Sequence, residues 1–94
     1  MSTAEIVIAK VLKVSNGLGI HARVATRIVQ KMQGYTCSVT LTKDDVEVDA
    51  RSVLGLLLLA AAPGSEVLVK AKGPEGASAI QEIERLIQSD EPQS

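Results

Sequence analysis

The pattern of apolar and polar positions changes period several times along this chain, and each change predicts a new element. Residues 5–14 are rich in β-branched side chains, which favours a strand. Residues 36–42 alternate between apolar and polar, and after a turn at 43–45 the alternation continues over residues 46–50. Such a pattern predicts a β-hairpin with one face exposed to water. Alternation over residues 66–72 predicts a fourth strand.

A period of about 3.6 residues replaces the alternation from His21 onward. One face of this predicted helix is apolar, and it carries Ala22, Ala25, Ile28, Val29 and Met32. Three cations spaced four residues apart, Arg23, Arg27 and Lys31, follow another face. Gly34 is a suitable residue to end the helix.

Two more helices are predicted in the second half of the chain. Ser52 is a favourable N-cap for an apolar run from Val53 to Ala62, which Pro63 and Gly64 end. The length and composition of that run predict a buried helix. In the last segment, before the polar residues 89–94, the apolar face carries Ile80, Ile83, Leu86 and Ile87.

The predicted order is therefore β-α-β-β-α-β-α, with no internal repeat or linker. One exposed strand face and three helices with one apolar face each favour an α+β fold in two layers. We predict an open-faced sandwich, in which a four-stranded antiparallel sheet packs all three helices on one face. This single domain is predicted to span residues 1–88, followed by a flexible tail at 89–94.

Composition argues against several classes of function. The chain has 94 residues and a formal net charge of −1, and Tyr35 is its only aromatic residue. Stacking on bases and contacts along a phosphate backbone need more aromatic and basic residues, so we expect no nucleic-acid partner. Cys37 is the only cysteine and no Cys/His cluster has metal-ligand spacing, so we expect no metal and no cofactor. We find no signal sequence and no membrane-spanning run, and predict a cytoplasmic protein.

Charge is distributed unevenly, and its basic part surrounds the only histidine. Residues 1–35 carry five cations and one acid, whereas residues 36–94 carry five cations and ten acids. His21 follows the glycine-containing segment 15–19 and starts the basic helix. The N–H groups at a helix start bind anions, above all phosphate, and a neighbouring arginine such as Arg23 can hold phosphoryl oxygens. A neutral imidazole in this place is suited to act as the nucleophile in phosphoryl transfer.

Each of these features also has a plainer explanation. Lone histidines commonly lie at the surface or cap helices, rows of arginines commonly form solvated faces, and glycines commonly serve turns. From the residues alone, the interpretation ends at an anion-binding α+β domain with a candidate nucleophilic histidine. The sequence has no Walker-type loop and no acidic metal site, so we do not expect it to bind ATP and magnesium by itself.

Three colinear segments carry a resemblance to one known family: NGLGIHAR at residues 16–23, ARSVLGLL at 50–57 and AAPGSEV at 61–67. They resemble segments of the HPr histidine-containing phosphocarriers of the bacterial phosphoenolpyruvate-dependent phosphotransferase system. Residues 16–23 resemble the active-site segment of that family. Residues 50–57 are similar to the segment around its regulatory serine, and residues 61–67 to the turn before its last strand. The resemblance is colinear from Val7 to Gln88, and the family shares the predicted element order.

The resemblance implies a carrier that is not itself an enzyme. His21 would accept a phosphoryl group on its δ1 nitrogen from phosphorylated Enzyme I. It would then pass the group to EIIA-type acceptor proteins of a sugar branch or a nitrogen and regulatory branch. Arg23 would stabilise the phosphoryl group, and Asn16, Gly19 and Ala22 would support the site.

The same resemblance implies a regulatory site and a docking surface. Ser52 corresponds to a serine that an ATP-dependent HPr serine kinase phosphorylates in some bacterial lineages, where the added charge would weaken docking to Enzyme I. The residues implied to dock partners are Ile20, Arg27, Val53, Leu54 and Leu57. A small shuttle of this kind is expected to be a monomer with weak, transient interfaces.

Val24 stands where the family usually has a proline directly after the arginine. Proline would fix φ in the first helical turn, so valine is expected to soften the helix start and to slow or retune transfer. This departure leaves one alternative open, a regulatory paralogue that acts by docking with little or no phosphotransfer. A second alternative is an unrelated two-layer α+β domain, such as a small phosphatase or ligand-binding module. The presence of His21 and Arg23 and the three colinear segments favour an active carrier.

Overall fold

The computed structural model describes residues 6–89, which form seven elements. In chain order they are β1 (Val7–Lys13), α1 (Ala22–Met32), β2 (Ser38–Lys43), β3 (Val46–Asp49), α2 (Val53–Leu59), β4 (Glu66–Lys72) and α3 (Gly76–Gln88). The predicted element order is confirmed, and the bounds of β4 coincide with the prediction. Glu5, where the first strand is predicted to begin, lies outside the described residues, as does the predicted tail apart from Ser89.

The four strands form one antiparallel sheet in the order β1-β4-β2-β3. Leu12 and Val67 are paired across β1 and β4, lie on the same face and are both buried. The next pair, Val11 and Leu68, lies on the opposite face, where Val11 is 58 % exposed. The helices pack on the Leu12 face, so the fold is the predicted open-faced α+β sandwich.

The β2–β3 hairpin turns through two aspartates in the left-handed region. Asp44 and Asp45 have φ of 49° and 70°, as in a two-residue type I′ turn. Aspartate tolerates this region better than most residues do, which accounts for two consecutive acids at the turn. The alternation predicts that Val46 points into the core, but it is 45 % exposed because it lies directly after the turn, at the end of the hairpin.

Helices α1 and α3 each bury one apolar face. In α3 the predicted core residues are confirmed, since Ile80, Ile83, Leu86 and Ile87 are all buried. In α1 the prediction is wrong at the first turn, because Ala22 is exposed and Val24 is buried instead. The buried stripe follows the i, i+4, i+8 series Val24, Ile28 and Met32, which leaves Ala22 at the edge of the stripe.

Helix α2 is shorter than predicted. The apolar run continues to Ala62, but the helix ends at Leu59 because Ala60 adopts the left-handed conformation (φ 52°, ψ 43°). The Ala60 N–H donates to the carbonyl oxygen of Leu57, which closes the last turn. Pro63 therefore lies in a loop beyond the helix and does not end it.

The same helix is only half buried, which contradicts the predicted buried helix. Leu56 and Leu59 are buried, whereas Leu54, Leu57 and Leu58 are 70 %, 39 % and 74 % exposed. In a two-layer fold no third layer covers the outer side of a helix, so apolar composition alone does not bury it. We call the exposed residues Leu54, Leu57 and Leu58 the α2 patch.

Candidate functional site

His21 is the N-cap of α1, and its imidazole takes part in the cap. The residue is half-buried and extended (φ −112°, ψ −175°), and its carbonyl oxygen accepts the Ala25 N–H at 2.8 Å. Its Nδ1 atom accepts the backbone N–H of Arg23 at 3.3 Å. Because Nδ1 is the acceptor, this geometry assigns the ring proton to Nε2 and directs the Nδ1 lone pair at the helix start.

The start of α1 offers further hydrogen-bond donors. Within residues 6–89, the N–H groups of Ala22 and Val24 have no acceptor, and the first turn contains no acidic side chain. Unpaired amides and the positive end of the helix dipole attract anions. The Nδ1 atom of His21 and hydrogen-bond donors suited to an anion therefore lie at the same helix end.

Two arginines of α1 add positive charge beside the imidazole. Arg23 is exposed, and Arg27, one turn further along, is half-buried. Neither guanidinium has a carboxylate partner among residues 6–89, where the ion pairs involve only Lys10, Lys43, Lys70 and Arg85 as cations. Both side chains keep their N–H donors for a ligand, and guanidinium donors match the oxygens of a phosphoryl group.

The loop before α1 is held in shape by Asn16. This residue is 4 % exposed, and its Oδ1 atom accepts the Gly19 N–H at 2.6 Å. Gly19 has φ +76°, in the left-handed region that favours glycine. In the described part of the chain Asn16 makes no hydrogen bond to His21, so it supports the histidine through the shape of the loop.

Residues 61–63, which follow α2, pack against this loop. The Ile20 N–H donates to the carbonyl oxygen of Ala61 at 2.9 Å. A Cβ atom added at Gly19 would overlap the same oxygen, so only glycine allows the two backbones to approach this closely. The end of α2 thereby fixes the residue that precedes His21.

The carboxyl end of α3 supports the loop from another direction. The carbonyl oxygen of Ile87 accepts the N–H groups of Ser15 and Asn16 at 3.1 and 3.3 Å. Sequence analysis missed this contact and the contact of Ala61. Both join backbone groups that are far apart in the chain, so neither leaves a signature in residue type or spacing.

Ile20 was predicted to dock partners, and the structure contradicts this. Its side chain is 5 % exposed and belongs to the core, so it is unavailable to a partner. Val53 is half-buried beside the exposed α2 patch.

Sequence analysis missed two exposed leucines, Leu58 in the patch and Leu18, which is 75 % exposed in the loop before His21. The position of Leu18 between two glycines was the available signal for its exposure.

Ser52 caps α2, as predicted. The residue is half-buried, and its Oγ atom accepts the Gly55 N–H at 2.9 Å. A Cβ atom at Gly55 would lie 3.1 Å from that hydroxyl and 3.0 Å from Cβ of Val48. Glycine at this position therefore lets β3 approach α2 and leaves space beside the serine hydroxyl.

Other kinds of site have little support in residues 6–89. No group of three His, Cys, Asp or Glu side chains there could hold a metal ion, and Cys37 is buried. No helix in that range is both long enough and apolar enough to cross a membrane. The start of α1 instead carries an imidazole and free amides, and the same helix carries two arginines, a set suited to holding a phosphoryl group on nitrogen.

Comparison with known proteins shows the family to which this chain is similar. A family profile described as "PTS HPr component phosphorylation site" matches residues 8–89. The phosphocarrier protein HPr of Treponema pallidum (strain Nichols) is 37 % identical over 82 residues, which cover 87 % of this chain and 93 % of that protein. The phosphocarrier protein NPr of Escherichia coli (strain K12) is 35 % identical over 83 residues, which cover 87 % of this chain and 92 % of that protein.

A solved structure agrees as well. The crystal structure of a phosphocarrier protein HPr from Bacillus anthracis superposes with a TM-score of 0.84 at 26 % identity. The superposition covers 89 % of this chain and 100 % of that one. The chain therefore belongs to the PTS-HPr family of phosphocarrier proteins, which carry phosphoryl groups in the phosphotransferase system and are not enzymes in their own right.

Proposed function

We propose that His21 accepts a phosphoryl group from phosphorylated Enzyme I and passes it to EIIA-type acceptor proteins. The observation that carries the proposal is the placement of Nδ1, which faces the Arg23 amide at a helix start. The unpaired guanidinium groups of Arg23 and Arg27 lie on the same helix. This combination supplies a nucleophile and a binding site for the transferred group together.

The transfer is a displacement at phosphorus. The Nδ1 lone pair forms the new N–P bond while the bond from phosphorus to the donor breaks, and that electron pair leaves with the donor. The Nε2 proton stays on the ring, whose gain of positive charge is balanced by the phosphoryl oxygens. Once Nδ1 is bonded to phosphorus it can no longer accept the Arg23 backbone N–H, which is then free to donate to a phosphoryl oxygen. The guanidinium of Arg23 neutralises the remaining negative charge. Transfer to an acceptor reverses these steps.

Docking to Enzyme I and to the acceptors is assigned to the α2 patch, Val53 and Arg27. The patch is apolar and Arg27 adds positive charge on α1, so the matching surface on a partner is an apolar area with acidic residues. A shuttle must leave each partner quickly, which fits a small interface and a monomeric carrier. We place the carrier in the cytoplasm, where a free thiol such as Cys37 stays reduced.

The test is the intact mass of the protein after incubation with phosphoenolpyruvate, magnesium and Enzyme I. We expect one added phosphoryl group that is lost in acid and absent from a folded His21→Ala variant. The chain contains a single histidine, so ¹H–¹⁵N spectra of the labelled imidazole will report whether Nδ1 or Nε2 carries the group. Phosphorylation at Nε2, or at another residue, would contradict the assignment.

The acceptor branch is tested in the same assay. The matches to an HPr at 37 % and to an NPr at 35 % are similar in strength, so acceptors of the sugar type and the nitrogen type are both offered. Discharge to only one type identifies the branch. No phosphorylation of the folded chain by several Enzyme I proteins would leave the alternative, a regulatory paralogue that acts by docking.

Ser52 is proposed as a second, regulatory phosphorylation site for an ATP-dependent serine kinase. A phosphate on this N-cap would lie at the positive end of α2, so the helix would tolerate it. It would also place negative charge next to Leu54 of the docking patch, beside a surface meant for acidic partners. We expect Ser52→Asp to raise the KM of Enzyme I for the carrier. A charge-matched Ser38→Asp variant, on the open face of the sheet, should leave KM unchanged, and equal KM values for both variants would refute the proposal.

A further inference from the structure

Arg51 makes hydrogen bonds that join the start of α2 to the end of α1. Its Nη1 atom donates to the carbonyl oxygen of Cys37 at 3.0 Å, and its Nη2 atom donates to those of Met32 and Tyr35 at 2.7 and 2.6 Å. Met32 is the last residue of α1, and Tyr35 and Cys37 lie in the connection to β2. A cation on the terminal carbonyl groups of a helix also complements the negative end of its dipole.

The backbone of Arg51 is fixed on the other side. Its N–H donates to Oδ1 of Asp49 at 2.7 Å, and the next residue, Ser52, caps α2. Arg51 is half-buried and its guanidinium is directed into the fold. A basic residue directly before a regulatory serine suggests a role in kinase recognition, but here both terminal nitrogens already have acceptors within the protein.

The two helices are thus joined at both ends. At the other end, the Ile20 N–H, next to His21, donates to the Ala61 carbonyl oxygen that follows α2. These two connections determine how the helix that carries His21 lies relative to the helix that carries the α2 patch. Only one of them, Arg51, is a side chain and can be changed without altering the backbone.

We propose that Arg51 is a positioning residue for docking, which holds the α2 patch in register with His21. This inference rests on the proposed function. The planar guanidinium presents several donors in a fixed arrangement, which suits three carbonyl oxygens from one stretch of chain. Without it, the carbonyl groups of Tyr35 and Cys37 lose the guanidinium donor, and that of Met32 keeps only the Tyr35 N–H. The connection from α1 to β2 is then held less firmly, so α2 shifts relative to α1.

The test is the kinetics of Enzyme I with the Arg51→Met variant as its phosphoryl acceptor, at a temperature where circular dichroism shows that the variant is folded. Methionine keeps much of the aliphatic length and removes the donors. We expect KM to rise on the order of tenfold with kcat little changed, because docking loses its register while the reacting groups at His21 remain intact. An unchanged KM, or a fall confined to kcat, would overturn the inference.

A control that lowers stability in another part of the fold separates positioning from general loss of stability. Ile83→Val in α3 removes one buried methyl group far from α2, and its KM should equal that of the unchanged protein. If this control raises KM as much as Arg51→Met does, the effect is a general one and the inference fails. If Arg51→Met does not fold, Arg51→Gln takes its place, because glutamine keeps an amide donor on a shorter side chain. The same change in KM is then expected.

A double-mutant cycle identifies the path of the effect. If Arg51 acts through the α2 patch, adding Leu54→Ala to Arg51→Met should raise KM less than Leu54→Ala does alone. Fully additive effects would show that Arg51 acts by another route and would contradict the proposal. The unchanged protein is the reference in every series, and its failure to accept a phosphoryl group would count against the proposed function itself and not against the role of Arg51.

Discussion

Gly19 and Ala61 are in backbone contact across two loops that are 42 positions apart in the sequence. A Cβ atom on Gly19 would overlap the carbonyl oxygen of Ala61, which also accepts the Ile20 N–H at 2.9 Å. The glycine adopts φ +76°, so space and conformation both require it. Because Ile20 precedes His21 directly, the place of the imidazole depends on where α2 ends.

We predict that Gly19→Ala lowers the free energy of unfolding by about 2–4 kcal/mol, since it adds a steric overlap to an unfavourable φ. Phosphorylation by Enzyme I should slow in the fraction that stays folded. The matched control is Gly64→Ala, at φ +92° with no atom within 4 Å of the added Cβ. It should cost about 1–2 kcal/mol for conformation alone. Urea titrations compare the two, and equal losses would show that the Ala61 contact contributes nothing.

Replacement of Arg23 should affect transfer and leave stability unchanged. The side chain is exposed and has no ion-pair partner among residues 6–89, so Arg23→Ala should change the free energy of unfolding by less than about 0.5 kcal/mol. Loss of a donor to the transferred phosphoryl group should slow transfer about 10²-fold, with Arg23→Lys intermediate. Rapid-quench measurements test this against Lys31→Ala, a cation two turns further along α1. A similar rate loss for Lys31→Ala would indicate that only the overall charge matters.

Val24→Pro should be tolerated. The Val24 N–H has no acceptor within the described range, so proline removes no hydrogen bond from the first turn of α1. The ring fills less of this buried position than valine does, so we expect a loss of about 1 kcal/mol in unfolding free energy. Transfer should be at least as fast, because a restrained φ organises the helix start. Val29→Pro, in the middle of the same helix, should cost about 3 kcal/mol or more. Thermal unfolding distinguishes them, and equal destabilisation would show that the Val24 N–H has a partner after all.

Truncation of the α2 patch should weaken docking without unfolding the protein. Leu54 and Leu58 are four residues apart on one helix face and largely exposed. Either change to alanine should leave the unfolding free energy within about 0.5 kcal/mol and raise the KM of Enzyme I about tenfold. Leu56→Ala, in the core, should instead cost about 2–5 kcal/mol.

Val11→Ala is the matched surface control for the patch. Val11 is 58 % exposed on the open face of the sheet, and its loss should leave KM unchanged. If Val11→Ala raised KM as much as Leu54→Ala does, the open face of the sheet would have to take part in docking, and the assignment to the α2 patch would be wrong.

The features that sequence analysis predicted correctly depend on neighbouring residues. The alternation over residues 66–72 matches β4 because each side chain on a strand faces opposite to the next. Ser52 caps α2 because its hydroxyl reaches an amide three residues ahead. His21 and Arg23 belong to one helix start because they are two residues apart, and Nδ1 of one accepts the N–H of the other.

The incorrect predictions concern features that distant parts of the chain decide. Periodicity could not show that Ala60 ends α2. The residues after Ala60 pack against Gly19 and Ile20, and this contact with a distant loop is not visible in the local pattern. Composition could not show that Leu54 and Leu58 are exposed, because exposure depends on how many layers cover a helix. Docking by Ile20 was implied by the family resemblance, whereas its side chain is in the core.

The sequence by itself therefore determined the order of the elements, the histidine at a helix start and its neighbouring arginine, because local backbone and side-chain geometry sets these. Only the tertiary structure decided how the histidine is held and which apolar residues reach the surface. The Gly19–Ala61 contact and the three hydrogen bonds of Arg51 join groups that become neighbours only when the helices pack on the sheet. Such contacts depend on the packing of the whole chain, and no local pattern of residues encodes them.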